Sequence, residues 1–116
     1  MPPAHRAYRL RGTGSFDTVF RTGRRIDGRF LQLVATPAAC TPGRVGYVIS
    51  RKSMPRAVDR NRLRRLLRET VGAARPAIAA YDVILRVKRD LPVQELKNAA
   101  AEGAHLVRQL LAGLAA

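Results

Sequence analysis

Five arginines fall within eleven residues in the stretch DRNRLRRLLRE, residues 59 to 69: Arg60, Arg62, Arg64, Arg65 and Arg68. A guanidinium is permanently charged and presents a planar fork of donors that matches phosphate oxygens, so the stretch is suited to holding a polyanion. It is not suited to proton transfer, because arginine keeps its proton in proteins. Between Arg56 and Arg68 six arginines meet a single acid, Asp59. A solvated helix face ordinarily mixes signs to gain pairing at i, i+4. A face this one-sided repels itself until a phosphate-rich partner neutralises it.

The whole chain carries the same bias, with 22 Lys and Arg against 8 Asp and Glu in 116 residues and a formal net charge of +14. Three of the cations are lysines (Lys52, Lys88 and Lys97), which leaves 19 arginines. Such a balance points to nucleic acid. The near-uniform wall of arginine favours backbone contact over base reading in a DNA groove, so DNA is not the expected partner.

Catalytic groups are hard to assemble from what remains. A protein nuclease usually needs clustered carboxylates for metal ions, or a histidine paired with another titratable group. Here the eight acids are spread singly from Asp17 to Glu102, and the two histidines, His5 and His105, lie near opposite ends. RGTGS, residues 11 to 15, lacks the lysine and the spacing of a phosphate-binding loop. Cys40 is the only cysteine, which excludes an internal disulfide and a thiolate metal cluster. No catalytic residue and no protein-bound metal is expected.

The elements that position the arginines follow from periodicity. A single domain over 1–116 is expected, with 1–12 as an extended basic arm. Ser15 is placed to cap a short helix that Gly23 ends, with Phe16, Val19 and Phe20 on one face. Residues 29 to 36 and 44 to 50 read as strands, and together suggest an antiparallel hairpin with a long loop. Pro55 is placed to open a helix from about Arg56 to Ala74, whose Leu63, Leu66, Leu67, Thr70, Val71 and Ala74 gather on one side. Asn61, Arg65 and Arg68 gather on the other side, with Arg60, Arg62 and Arg64 on the flanks. YDVILRV, residues 81 to 87, reads as a third strand, and Pro92 as the opening of a last helix. The order αββαβα describes a two-layer α/β sandwich. The N-terminus has no continuous apolar core of a signal peptide and the C-terminal segment is too interrupted to span a membrane, so a cytoplasmic protein is expected.

The stretch SRKSMPRAVDRNRLRRLLRE, residues 50 to 69, resembles the signature of the bacterial ribonuclease P protein component: an Arg-Asn-Arg, a basic pair and an Arg-Glu, here Arg60, Asn61 and Arg62, then Arg64 and Arg65, then Arg68 and Glu69. FDTVFRTGRR before it and YDVILRV after it extend the likeness over residues 9 to 114. The resemblance implies a small mixed sheet with a left-handed βαβ crossover, like the second domain of ribosomal protein S5, an exception to the usual handedness. It implies the protein subunit of a ribonucleoprotein endonuclease that removes the 5′ leader of precursor tRNA, with magnesium and catalysis supplied by the RNA. It further implies that Arg60, Asn61, Arg62, Arg64, Arg65 and Arg68 meet the RNA subunit. The leader would lie in a cleft between the first helix and the sheet, with Phe16 and Phe20 stacking and Arg29 and Lys52 supplying charge.

Some positions depart from the family pattern. Leu33, Val34 and Ala35 stand where members often carry an aromatic, Ser53 follows Lys52 in place of a second lysine, and Met54 and Pro55 occupy a turn that is often glycine. The competing reading is a ribosomal or other structural RNA-binding protein, which charge and element order permit equally.

Overall fold

The computed structural model describes residues 13–39 and 42–114, so the arm expected at 1–12 and Cys40 lie outside the described residues. The elements run α1 (Thr13–Thr22), β1 (Arg24–Asp27), β2 (Leu31–Pro37), β3 (Val45–Val48), α2 (Ala57–Ala73), β4 (Tyr81–Val87) and α3 (Leu96–Leu114). Single 3-10 turns at Ala77–Ala80 and Val93–Glu95 lead into β4 and α3. None of the described helices is long and apolar enough to cross a membrane.

One sheet of order β1-β2-β4-β3 gathers all four strands. β4 runs antiparallel to β2 and parallel to β3, and β1 forms the outer antiparallel edge on β2. The hairpin expected between the second and third strands is therefore corrected, because β4 is inserted between them. Its residues 82 to 85 are buried on both faces, which requires a central position. The loop between β2 and β3 needs only to step across two strand spacings, about 10 Å. β1 was not expected at all. Its sequence, RRID, has a single apolar residue, as befits a short charged edge strand. Ser15 is likewise corrected from cap to helix interior, since α1 already begins at Thr13.

Alternation along the strands divides the sheet into two faces. Leu31, Leu33 and Ala35 of β2, Val83, Leu85 and Val87 of β4 and Val45 of β3 enter the larger core, which α2 closes with Leu63, Leu67 and Val71 and α3 with Ala99, Leu106 and Leu110. Burying a leucine of this kind stabilises by about 1.5 to 3 kcal/mol. α2 and α3 touch closely at Gly103, where a Cβ would lie 2.7 Å from Leu67 Cδ2. The other face is smaller. Val34 and Ile84 meet Val19 of α1 there, with Phe20 and Val48 packed partly against them. The molecule thus places α1 alone on one side and the arginine-bearing α2 on the other.

Candidate nucleic-acid interface

The loop that delivers α2 is held before the helix starts. Ser50 Oγ accepts from the Ser53 backbone N–H at 3.1 Å, Met54 N–H donates to Ser50 O at 3.0 Å, and Leu91 N–H donates to Ser53 O at 3.1 Å. Met54 is buried in the larger core and anchors the turn. Arg56, in extended conformation, is the N-cap residue, so the helix begins at Ala57, two residues after Pro55.

The arginines of α2 then separate into two kinds. Arg60 turns back and donates through one Nη to Met54 O at 2.8 Å and Pro55 O at 2.9 Å, fixing the loop to the helix it precedes. Arg64 donates to Asn61 Oδ1 at 3.2 Å. Arg62, Arg65 and Arg68 are exposed, and none is hydrogen-bonded or ion-paired among the described residues. Three free guanidinium forks on one outward surface are what phosphate binding requires. Arg68 also acts inward: its field and that of Arg75 oppose the effect of burial on Tyr47, whose hydroxyl burial pushes up to about 12.

The second expected site lies where α1 crosses the sheet. Phe20 is half-buried, with one part of its ring on the Val19, Val34 and Ile84 cluster. The end of α1 is pinned there by Arg25, which donates to Phe20 O at 2.9 Å. The side chain of Phe16 lies outside the described residues. The sheet contributes polar groups that the charge pattern alone did not single out. Gln32 and Arg86 are direct cross-strand partners on this face. Gln32 Oε1 and Arg86 Nε are buried with no hydrogen-bond partner. Beside them Asp27 Oδ1 accepts from Gln32 Nε2 at 2.9 Å and from Lys88 Nζ at 3.3 Å, and these two contacts hold its carboxyl below the usual carboxylate range. The signal for Arg86 was present in YDVILRV, where Asp82, Ile84 and Arg86 alternate with Val83, Leu85 and Val87.

Lys52 is exposed in the turn after β3, and Arg29 in the turn between β1 and β2, at the same end of the sheet. The Arg29 guanidinium sits 5.0 Å from the centroid of the Phe30 ring. That ring belongs to the larger core beneath α2 and α3, whereas Arg25, Arg86 and Lys88 place positive charge on the α1 side of the sheet. Among the described residues no group of three or more His, Cys, Asp or Glu is placed to hold a metal ion.

The family model described as Ribonuclease P matches residues 4–111. The ribonuclease P protein component of Aromatoleum aromaticum is 41% identical over 81 residues, covering 70% of this chain and 68% of the relative. That of Chromohalobacter salexigens is 39% identical over 95 residues, covering 81% and 73%. The fold is similar to the RNase P protein from Thermotoga maritima, with a TM-score of 0.71 at 21% identity over 87% of this chain and 96% of the other. The arginine signature on α2, the mixed sheet around β4 and the match along nearly the whole sequence have one common explanation: this chain belongs to the ribonuclease P protein family.

Proposed function

We propose that the chain works as the protein subunit of the ribonuclease P ribonucleoprotein, binding the catalytic RNA and the 5′ leader of precursor tRNA so that the leader is removed endonucleolytically. Arg62, Arg65 and Arg68 make the phosphate contacts to the RNA subunit, while Arg60, and Arg64 with Asn61, set the loop and helix surface that present them. The observation that carries the reading is that exposed triad of unpaired guanidiniums on a chain of net charge +14. The leader runs over the α1 side of the sheet, where Phe20 offers part of a ring for stacking and Arg86, Lys88 and Lys52 offer charge.

Magnesium is assigned to the RNA in this reading. Support for that assignment is that among the described residues no three or more His, Cys, Asp or Glu are grouped to hold a metal ion, and Asp27 already serves Gln32 and Lys88. The test is cleavage of a 5′-extended precursor tRNA at low magnesium, comparing protein alone, cognate RNA alone and the two together. Cleavage that needs the RNA and is strongly stimulated by the protein is the expected result. Cleavage by protein alone would mean an active site within the chain, and absence of stimulation would return α2 to a structural RNA-binding role.

A further inference from the structure

A cleft of about 330 Å³ opens between α2 and the turn that starts α3. Three cations line it, Arg62 and Arg65 from α2 and Lys97 from the first turn of α3, together with the apolar side chains of Leu66, Leu96 and Val93. No acid lines it. Val93 is 48% exposed, one of two large apolar side chains so exposed among the described residues, and a three-residue 3-10 turn holds it there. Gln94, on the same turn, completes the lining with an amide able to donate and accept.

Resting on the function proposed above, we propose that this cleft receives one unpaired nucleotide of the RNA subunit. Its phosphate would lie on Arg62, Arg65 and Lys97, and its base against Val93 and Leu66 with an edge on Gln94. A ligand that is anionic at one end and flat and apolar at the other matches this lining, and a nucleotide is both. Arg62 and Arg65, three residues apart on one helix, stand about 5 to 6 Å apart at their Cβ atoms, close enough to share one phosphate group. The volume is at the lower end of the roughly 300 to 1,000 Å³ of small-ligand pockets, which suits one nucleotide and not a strand. The base would gain contact with a surface already apolar and exposed, so an unpaired residue of the RNA would be retained without being read for sequence.

Two measurements on the full chain test this. In the first, isotope-labelled protein is titrated with adenosine 5′-monophosphate, inorganic phosphate and adenosine. The nucleotide should shift the methyl signals of Val93 and Leu66 together with the Lys97 amide, and bind several-fold more tightly than phosphate. Equal binding of nucleotide and phosphate with the methyl signals unmoved overturns the proposal. In the second, Lys97→Gln and Arg108→Gln are compared for RNA-subunit binding across salt concentrations. Both remove one charge from α3, but eleven residues of helix, about 16 Å, separate them. Lys97→Gln should lower the log–log salt slope by about 0.7 and Arg108→Gln should not, whereas equal effects overturn the proposal. Nucleotide-induced shifts in a protein that fails to bind the RNA subunit would overturn both the earlier reading and the RNA subunit as the occupant of the cleft. Normal RNA binding without those shifts overturns the cleft alone.

Discussion

Glu102 reaches from α3 to the turn between β1 and β2, where its Oε1 accepts the backbone N–H groups of Phe30 at 2.9 Å and Leu31 at 2.7 Å. Phe30 precedes β2 and Leu31 is its first residue, and the carboxylate satisfies both donors from 72 and 71 residues away. Gly28 makes room for it, since a Cβ at that position would meet the carboxylate itself. Removing the acceptor leaves two partly buried donors unpaired, at a cost of roughly 1 to 3 kcal/mol. Glu102→Ala is accordingly expected to lower the unfolding free energy measured by urea denaturation by that amount, and Glu102→Gln, which keeps one acceptor oxygen, to lose less. Equal stability of Glu102→Ala and the parent chain would show that water replaces the carboxylate without cost. The same logic applies to Arg60, one Nη of which donates to two loop carbonyls, so this member of the arginine signature also holds the loop.

Among the elements, α2 makes that distinction measurable. Arg62→Ala and Arg65→Ala each remove an exposed cation, so each should flatten the log–log salt dependence of RNA-subunit binding by roughly 0.7 to 0.9 while leaving stability within about 0.5 kcal/mol. Arg60→Ala should instead destabilise the chain by about 1 kcal/mol or more, because Met54 O and Pro55 O lose a charged donor. An unchanged slope for the Arg62 and Arg65 variants would remove them from the interface. The leucine face of α2 was legible in the sequence because its period is local: Leu63, Leu67 and Val71 are buried as the wheel requires. The partner of β2 was not, because pairing is decided by which strand needs burial on both faces, and β4 lies more than forty residues further along the chain. The division within the arginine signature escaped sequence reasoning for a related reason. One Nη of Arg60 is engaged by carbonyls whose direction depends on the path of the 50–56 loop, and no spacing records that path. Val93 and Lys97 escaped because their cleft exists only once α3 packs beside α2.

At the scale of the molecule, the parallel pairing of β3 with β4 brings much of the positive charge together. α2 must return to the start of β4, so α2 and α3 both begin near the end of the sheet where β3 and β4 stop. Lys52 follows β3, Lys88 follows β4, Arg29 precedes β2 and Lys97 opens α3, all at that end. A net charge of +14 works against the compact state in free protein. The range of that repulsion is set by salt. At about 0.01 M the Debye length is about 30 Å, comparable to the 36 × 35 × 26 Å extents of the molecule, so each charge acts on nearly every other; at 0.15 M it is about 8 Å and only neighbours interact. Raising sodium chloride between these limits is therefore expected to stabilise the free protein by about 1 kcal/mol, a rise in Tm of roughly 4 to 8 °C for a chain near 100 residues. The same change in salt should weaken RNA-subunit binding, because released counterions no longer favour association. The two observables should move in opposite directions, and calorimetry beside a binding titration measures both. A Tm that stays flat or falls would mean that the cations are already compensated within the folded chain, and the electrostatic case for an RNA partner would then rest on α2 alone.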